Sequence, residues 1–218
     1  MTEEVKPRRA YRSARRQQTA ADTRSAILAA AQAAFLRDGW TRTTIASIAR
    51  EAAVAPETIY SVFGNKRALI QALVQSAVRG ALPDVPLLQQ AVPRAIGTAS
   101  DQSAQLAMFA GDIVMVLERV APLVAVVREA ARAEPELEQL YRDLHAGRRR
   151  NLAFVAEALA GRGPLRGGMG TEEATAIVWR LASPELFTLA RNVEGLSSAG
   201  YRQWLESSLR RLLLDEDA

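Results

Sequence analysis

The sequence predicts an all-α protein in two helical parts, and three observations carry that prediction. Apolar residues recur at three- and four-residue spacing along most of the 218-residue chain. No segment alternates apolar and polar residues as a half-buried strand does, and no hairpin signal occurs. Proline and glycine also stand where helices start and stop, with Pro56, Pro122 and Pro135 at starts and Gly39 and Gly64 at ends.

Residues 1–20 are polar and basic without apolar periodicity, which predicts a disordered arm. From Asp22 a helix carries Ile27, Leu28, Ala31, Ala34, Phe35 and Leu36, and Gly39 closes it at Asp38. Thr43 or Thr44 caps a short helix bearing Ile45, Ile48 and Ala49. A second short helix opens at Pro56 and runs to about Phe63. Gly64-Asn65 breaks the chain, and Lys66 begins a longer helix with Leu69, Ile70, Leu73 and Val74.

The stretch 81–100 holds Pro83, Pro86, Pro93 and Gly97 and reads as an irregular connection with room for one short helix. Helices are then expected over 101–119, 122–133 and 135–160, followed by a loop from Gly161 to Gly170. That loop's Gly161-Arg162-Gly163 departs from a dinucleotide fingerprint in spacing, and no strand precedes it. A helix over 172–182 is restarted at Ser183-Pro184-Glu185 and continues to Val193. The last helix spans about 199–214. The organisation this implies is an arm over 1–20, a three-helix domain over 21–66 and a larger helical domain over 67–218.

Composition narrows the function. The absence of cysteine excludes disulfides, thiolate metal sites and cysteine nucleophiles, and a single histidine, His145, excludes a multi-histidine metal site within one chain. No cofactor or metal is therefore expected. Paired acid/base carboxylates, nucleophile motifs and phosphate loops cannot be identified, so the chain does not read as an enzyme. No run approaches about 18 apolar residues, and the basic N-terminus lacks the apolar stretch of a secretory signal, so a soluble, cytoplasmic protein off the membrane is expected.

Charge narrows it further. Residues 1–70 hold twelve basic and six acidic residues, a net of +6 within a chain of +4 overall. A basic N-terminal third on a near-neutral remainder suits a polyanion-binding module, although a basic tail on a neutral globule gives the same arithmetic.

The three helices of 21–66 have the dimensions of a helix-turn-helix, with double-stranded DNA as the partner. Ala49 is small where the two short helices cross, and Ile45, Ile48, Val54, Ile59 and Phe63 form a small core with Phe35. Pro56, Glu57, Thr58, Ser61 and Val62 are left facing outward from the second short helix, which can enter a major groove. Around them stand phosphate-type donors: Thr43, Thr44, Tyr60 and Lys66.

The stretch from Thr23 to Leu73 resembles the tetracycline-repressor (TetR) family, above all in Thr44-Ile45-Ala46-Ser47-Ile48-Ala49 and Thr58-Ile59-Tyr60-Ser61-Val62-Phe63-Gly64-Asn65-Lys66. The resemblance implies a homodimeric regulator whose C-terminal domain dimerises and holds an effector. It implies that Thr44, Tyr60 and Lys66 grip phosphates, with Arg42 also reaching the backbone, and that Pro56, Glu57, Ser61 and Val62 face bases. Three positions depart from the family pattern: Ala53 where the turn usually has Gly, Ala55 in place of the Ser cap, and Val62 in place of a hydrogen-bonding side chain.

Met108, Phe109, Ile113, Val116, Val127, Phe154 and Trp179 are core-type residues that, on the strength of the resemblance, could line a cavity for a small hydrophobic effector. Leu186, Leu189 and Val193, with Trp204, Leu205, Leu209 and Leu212, supply two apolar faces near the C-terminus. One can pack internally while the other pairs with a second copy, or both can be internal. The function expected is a sequence-specific transcriptional regulator, a repressor released from a palindromic operator by its effector. The alternative is a nucleoid-type DNA binder without sequence preference or effector.

Overall fold

The computed structural model describes residues 8–82 and 85–215, which form two compact units divided between Leu73 and Val74. The first unit begins with α1 (Arg8–Arg42), interrupted at Gly39, whose φ of 70° no other residue type adopts as cheaply. A disordered arm over 1–20 is expected from composition, yet α1 extends back to Arg8. Residues 8–20 contain neither glycine nor proline and are rich in Ala, Arg and Gln, so a helix nucleated downstream propagates through them. The rest of that arm, residues 1–7, lies outside the described residues.

α2 (Ile45–Glu51) and α3 (Pro56–Phe63) follow. Thr44 caps α2 in a reciprocal box: its hydroxyl accepts from the Ser47 amide at 3.0 Å, and the Ser47 hydroxyl accepts from the Thr44 amide at 3.1 Å. α3 has no side-chain cap, because Ala55 offers none, and relies on Pro56 at its first position. Between them Ala53 holds a φ of 53°, so a Cβ sits where glycine is favoured.

α4 (Lys66–Arg79) is started by Asn65, whose Oδ1 accepts from the Ala68 amide at 2.7 Å. The expected boundary at residue 66 moves to residue 73, since Leu69, Ile70 and Leu73 of α4 are buried and counted with the first unit. Its core is Ile27, Ala31, Ala34, Phe35, Ile45, Ile48, Ala49, Ile59 and Phe63, all buried.

The second unit holds a short 3-10 turn (Leu87–Gln89), then α5 (Ala91–Thr98), α6 (Gln102–Ala130), α7 (Pro135–Arg162), α8 (Thr171–Leu181), α9 (Pro184–Asn192) and α10 (Ser198–Leu213). Two helices separated at Pro122 are expected, but α6 runs through it. Pro122 is exposed while Val120, Ala121, Leu123 and Val124 are buried, so the missing amide falls on the solvent side and the apolar stripe continues unbroken.

Leu106, Phe109 and Leu117 of α6 pack with Leu152, Val155 and Leu159 of α7, Val178 of α8, Phe187 of α9, and Tyr201, Leu205 and Leu209 of α10 in one core. Each large side chain so buried contributes about 1.5–3 kcal/mol. Among the described residues there is no strand, and no helix is long and apolar enough to cross a membrane.

Candidate nucleic-acid interface

α2 and α3 are joined by a tight turn and stand on α1 through a shared apolar core, which fixes the outward face of α3. Ile59 and Phe63 are the buried residues of α3, and the Arg24 guanidinium lies 4.5 Å over the Phe63 ring. Glu57, Tyr60, Ser61 and Val62 are exposed, Tyr60 by 53% and Val62 by 38%, while Pro56 and Thr58 are half-buried. These six expected residues therefore form one surface. The face carries no cation and one carboxylate, that of Glu57, and it presents short side chains that can approach base edges.

Arg42 and Thr44 are exposed beside the start of α2. The Arg42 side chain folds back, with Nε donating to the Asp38 carbonyl at 3.2 Å. Lys66 is drawn inward: its ammonium donates to the Trp40 carbonyl at 2.6 Å and lies 4.1 Å from the Trp40 ring centroid. Trp40, which the sequence reading passes over, is stacked in turn on Phe35 at 5.7 Å. An aromatic one position after a helix-ending glycine and 26 residues before a lysine gives no local signal of that contact.

Thr43 must be corrected. It is 1% exposed, and its hydroxyl reaches the carbonyls of Gly39 at 2.7 Å and Ala34 at 3.1 Å. It closes the broken end of α1 and cannot meet a phosphate. The neighbouring ion pairs are equally structural, Arg37 holding both Asp38 and Glu51 and thereby tying α1 to α2, with its guanidinium pushed above its usual range by those hydrogen bonds.

The expected effector-pocket residues divide. Phe109 and Ile113 are buried, Val116, Phe154 and Trp179 pack against the same core, and Val127 is buried. Met108 is exposed on α6 and is corrected to a surface residue, because its position lies about 100° round the helix from the buried Phe109. A groove of about 500 Å³ does occur, lined by Ala146, Arg149, Arg150, Ala153 and Glu157 of α7 with Thr171, Glu172 and Thr175 of α8. It shares no residue with the expected set.

A polar cluster ties α7, α8 and α9 together. Tyr141 donates to Glu185 Oε1 at 2.7 Å, and His145 Nε2 lies 3.2 Å from the same oxygen. Arg148 donates to the carbonyls of Trp179 at 2.8 Å and Ala182 at 3.1 Å, and lies 5.0 Å from the Trp179 ring centroid. Burial pushes the Glu185 carboxyl up, but His145 and Tyr141 outweigh it and hold it at about 2. Burial drives Arg148 down to about 10 and Tyr141 up to about 12, the latter reinforced by Glu185.

The expected interface residues also divide. Leu205 and Leu209 are fully buried and are corrected to internal core, in register with Tyr201 and Leu213. Leu189, Trp204 and Leu212 are exposed, Val193 is 75% exposed, and Leu186 is half-buried. α10 thus turns one apolar edge inward and leaves a second edge, with α9, facing solvent.

Residues 27–73 match the family of bacterial regulatory proteins, tetR family. The HTH-type transcriptional regulator TtgR of Pseudomonas putida is 45% identical over 62 residues, which is 28% of this chain and 30% of that relative. The probable HTH-type transcriptional regulator ArpR of Pseudomonas putida matches to the same extent. The chain thus aligns with less than a third of the length of these curated relatives. Native NalD of Pseudomonas aeruginosa, the secondary repressor of the MexAB-OprM multidrug efflux pump, superposes with a TM-score of 0.71 at 22% identity, over 92% of this chain and all of that one. A TetR-family regulator from Rhodococcus sp. gives 0.67 at 16% identity, over 88% of this chain and 99% of that one. At these identities the likeness is one of fold, and it extends through both units.

Proposed function

We propose that this chain, whose N-terminal unit is a tetR-family domain, is a dimeric, sequence-specific DNA-binding transcriptional regulator. In this reading it is a cytoplasmic repressor that leaves a palindromic operator when a small apolar effector binds the C-terminal unit. The observation that carries the reading is the outward face of α3: Glu57, Tyr60, Ser61 and Val62 are exposed on a short helix held by a buried core. A nucleoid-type binder would need no such face. It would rely on cations, of which the exposed side of α3 has none.

The roles follow from chemistry. Thr44, Tyr60 and Lys66, with Arg42, supply phosphate contacts that set register, and Pro56, Glu57, Thr58, Ser61 and Val62 meet bases. The exposed edge formed by Leu189, Val193, Trp204 and Leu212 pairs with its copy about a two-fold axis, which places two α3 helices on two half-sites. An effector acts by favouring a spacing of the two α3 helices that does not fit the groove, and its leverage is its difference in affinity for the two states.

The test is a bind-and-sequence selection on random duplexes at near-physiological salt. Enrichment of a palindrome is expected. Recovery of duplexes with no shared motif would return the nucleoid-type reading, as would loss of all binding on deletion of residues 1–20.

A further inference from the structure

Resting on the DNA-binding reading above, we infer that α3 reads a pyrimidine pair: Glu57 accepts a hydrogen bond from a cytosine amino group, and Val62 packs on a thymine methyl. The outward residues of α3 are Pro56, Glu57, Thr58, Tyr60, Ser61 and Val62. None is Arg, Lys, Asn or Gln. Guanine shows the major groove two acceptors, O6 and N7, and needs a two-donor partner. Adenine pairs an acceptor with a donor and needs an amide. Neither a two-donor side chain nor an amide stands on this face, and the Thr58 and Ser61 hydroxyls suit any base without choosing one.

What discriminates on this face, beside those hydroxyls, is one carboxylate acceptor and the methyl groups of Val62. Glu57 is exposed and has no ion-pair or hydrogen-bond partner among the described residues. A bare carboxylate facing a polyanion is repelled unless a base donor meets it. Cytosine N4 is that donor, and its neighbour in the groove is a C5–H. Adenine N6 stands beside the N7 lone pair, which would oppose the carboxylate.

Val62 is an exposed apolar side chain that can gain only a contact with the thymine methyl. Glu57 and Ser61 form one i, i+4 stripe, and Thr58 and Val62 the next, so the polar and methyl-bearing rows lie side by side. Glu57 and Val62 stand five positions apart, about 7.5 Å along the helix axis, close to two base steps, so cytosine and thymine fall near each other in each half-site.

The experiment uses the full chain and the duplex that selection enriches. Thymines are replaced singly by uracil, which removes the methyl and nothing else. Affinity of the wild type is expected to fall about four-fold per half-site at one position, whereas Val62→Ala binds the thymine and uracil duplexes alike. Glu57→Ala is expected to lose about ten-fold preference at a cytosine position while binding random DNA more tightly, because a repelled charge has gone. Both residues are exposed, so both variants fold. An enriched motif that ignores uracil replacement, or a cytosine preference that survives Glu57→Ala, overturns this inference and leaves the regulator reading standing. Absence of any enriched motif overturns both.

Discussion

Lys66 and Trp40 are joined twice: the ammonium donates to the Trp40 carbonyl at 2.6 Å and lies 4.1 Å over that residue's own indole. The lysine therefore braces the start of α4 against the end of α1 as well as offering charge. Lys66→Ala is expected to lower stability by about 1–2 kcal/mol through the lost charge-assisted bond and cation–π contact. It is also expected to lower the slope of log affinity against log salt by about one per phosphate released. Denaturant unfolding and a salt titration measure the two effects. A stability loss with an unchanged slope would make Lys66 a brace only.

The two threonines separate in the same way. Thr43→Val leaves the Gly39 and Ala34 carbonyls without their donor and is expected to cost about 1–3 kcal/mol, with the salt slope untouched. Thr44→Ala removes the α2 cap for about 1 kcal/mol and weakens DNA binding as well. Equal DNA defects in both variants would contradict the assignment of Thr43 to the interior.

Ala53 tests the turn. Its left-handed backbone costs roughly 1–2 kcal/mol that glycine avoids, against about 0.5–1 kcal/mol of added chain entropy for glycine. Ala53→Gly is expected to raise stability by up to about 1 kcal/mol, and Ala53→Val to lower it by more than that, both read from denaturant midpoints. A destabilising Ala53→Gly would mean that the turn is not strained.

The Glu185 cluster sets an acid limb. A carboxyl held at about 2 in the fold and near 4.5 unfolded stabilises fully above about pH 4.5, and the benefit drains away as the pH falls toward 2. The shift caps the contribution at about 3 kcal/mol. Thermal midpoints of the wild type should fall across this window more steeply than those of Glu185→Gln. Parallel curves would show that His145 and Tyr141 do not hold the carboxylate.

The exposed edge of α9 and α10 predicts the assembly. Val193→Asp with Leu212→Asp places like charges on a face that is already solvated in the single chain, so folding is expected to survive. Sedimentation should then report a monomer where the wild type is a dimer. A dimer that persists would locate the interface elsewhere.

Local signals in the sequence carried most of the fold. Pro56, Gly64 and Ser183 act within a few residues of where they stand, and each marks the helix end it was expected to mark. Gly39, expected to close the first helix at Asp38, breaks α1 three residues short of its end at Arg42. Pro122 misleads because its effect depends on which side of α6 faces solvent, a tertiary fact. Thr43 and Lys66 look like phosphate donors by residue type, and only the approach of α1 reveals what they bond. Leu205 and Trp204 are neighbours in one apolar stretch. Which of them turns inward is decided by the rotation of α10 against the core, and periodicity alone leaves that rotation open.

The central claim is that two copies of α3, in one dimer, read two half-sites. The most direct measurement is a stoichiometric titration of the selected palindrome against a duplex of the same composition with one half-site scrambled. Two chains per intact duplex are expected, with a loss of affinity of at least about a hundred-fold on scrambling, since each mismatched pair costs about 1–3 kcal/mol. Equal affinity for the two duplexes, or saturation at one chain per palindrome, would contradict it.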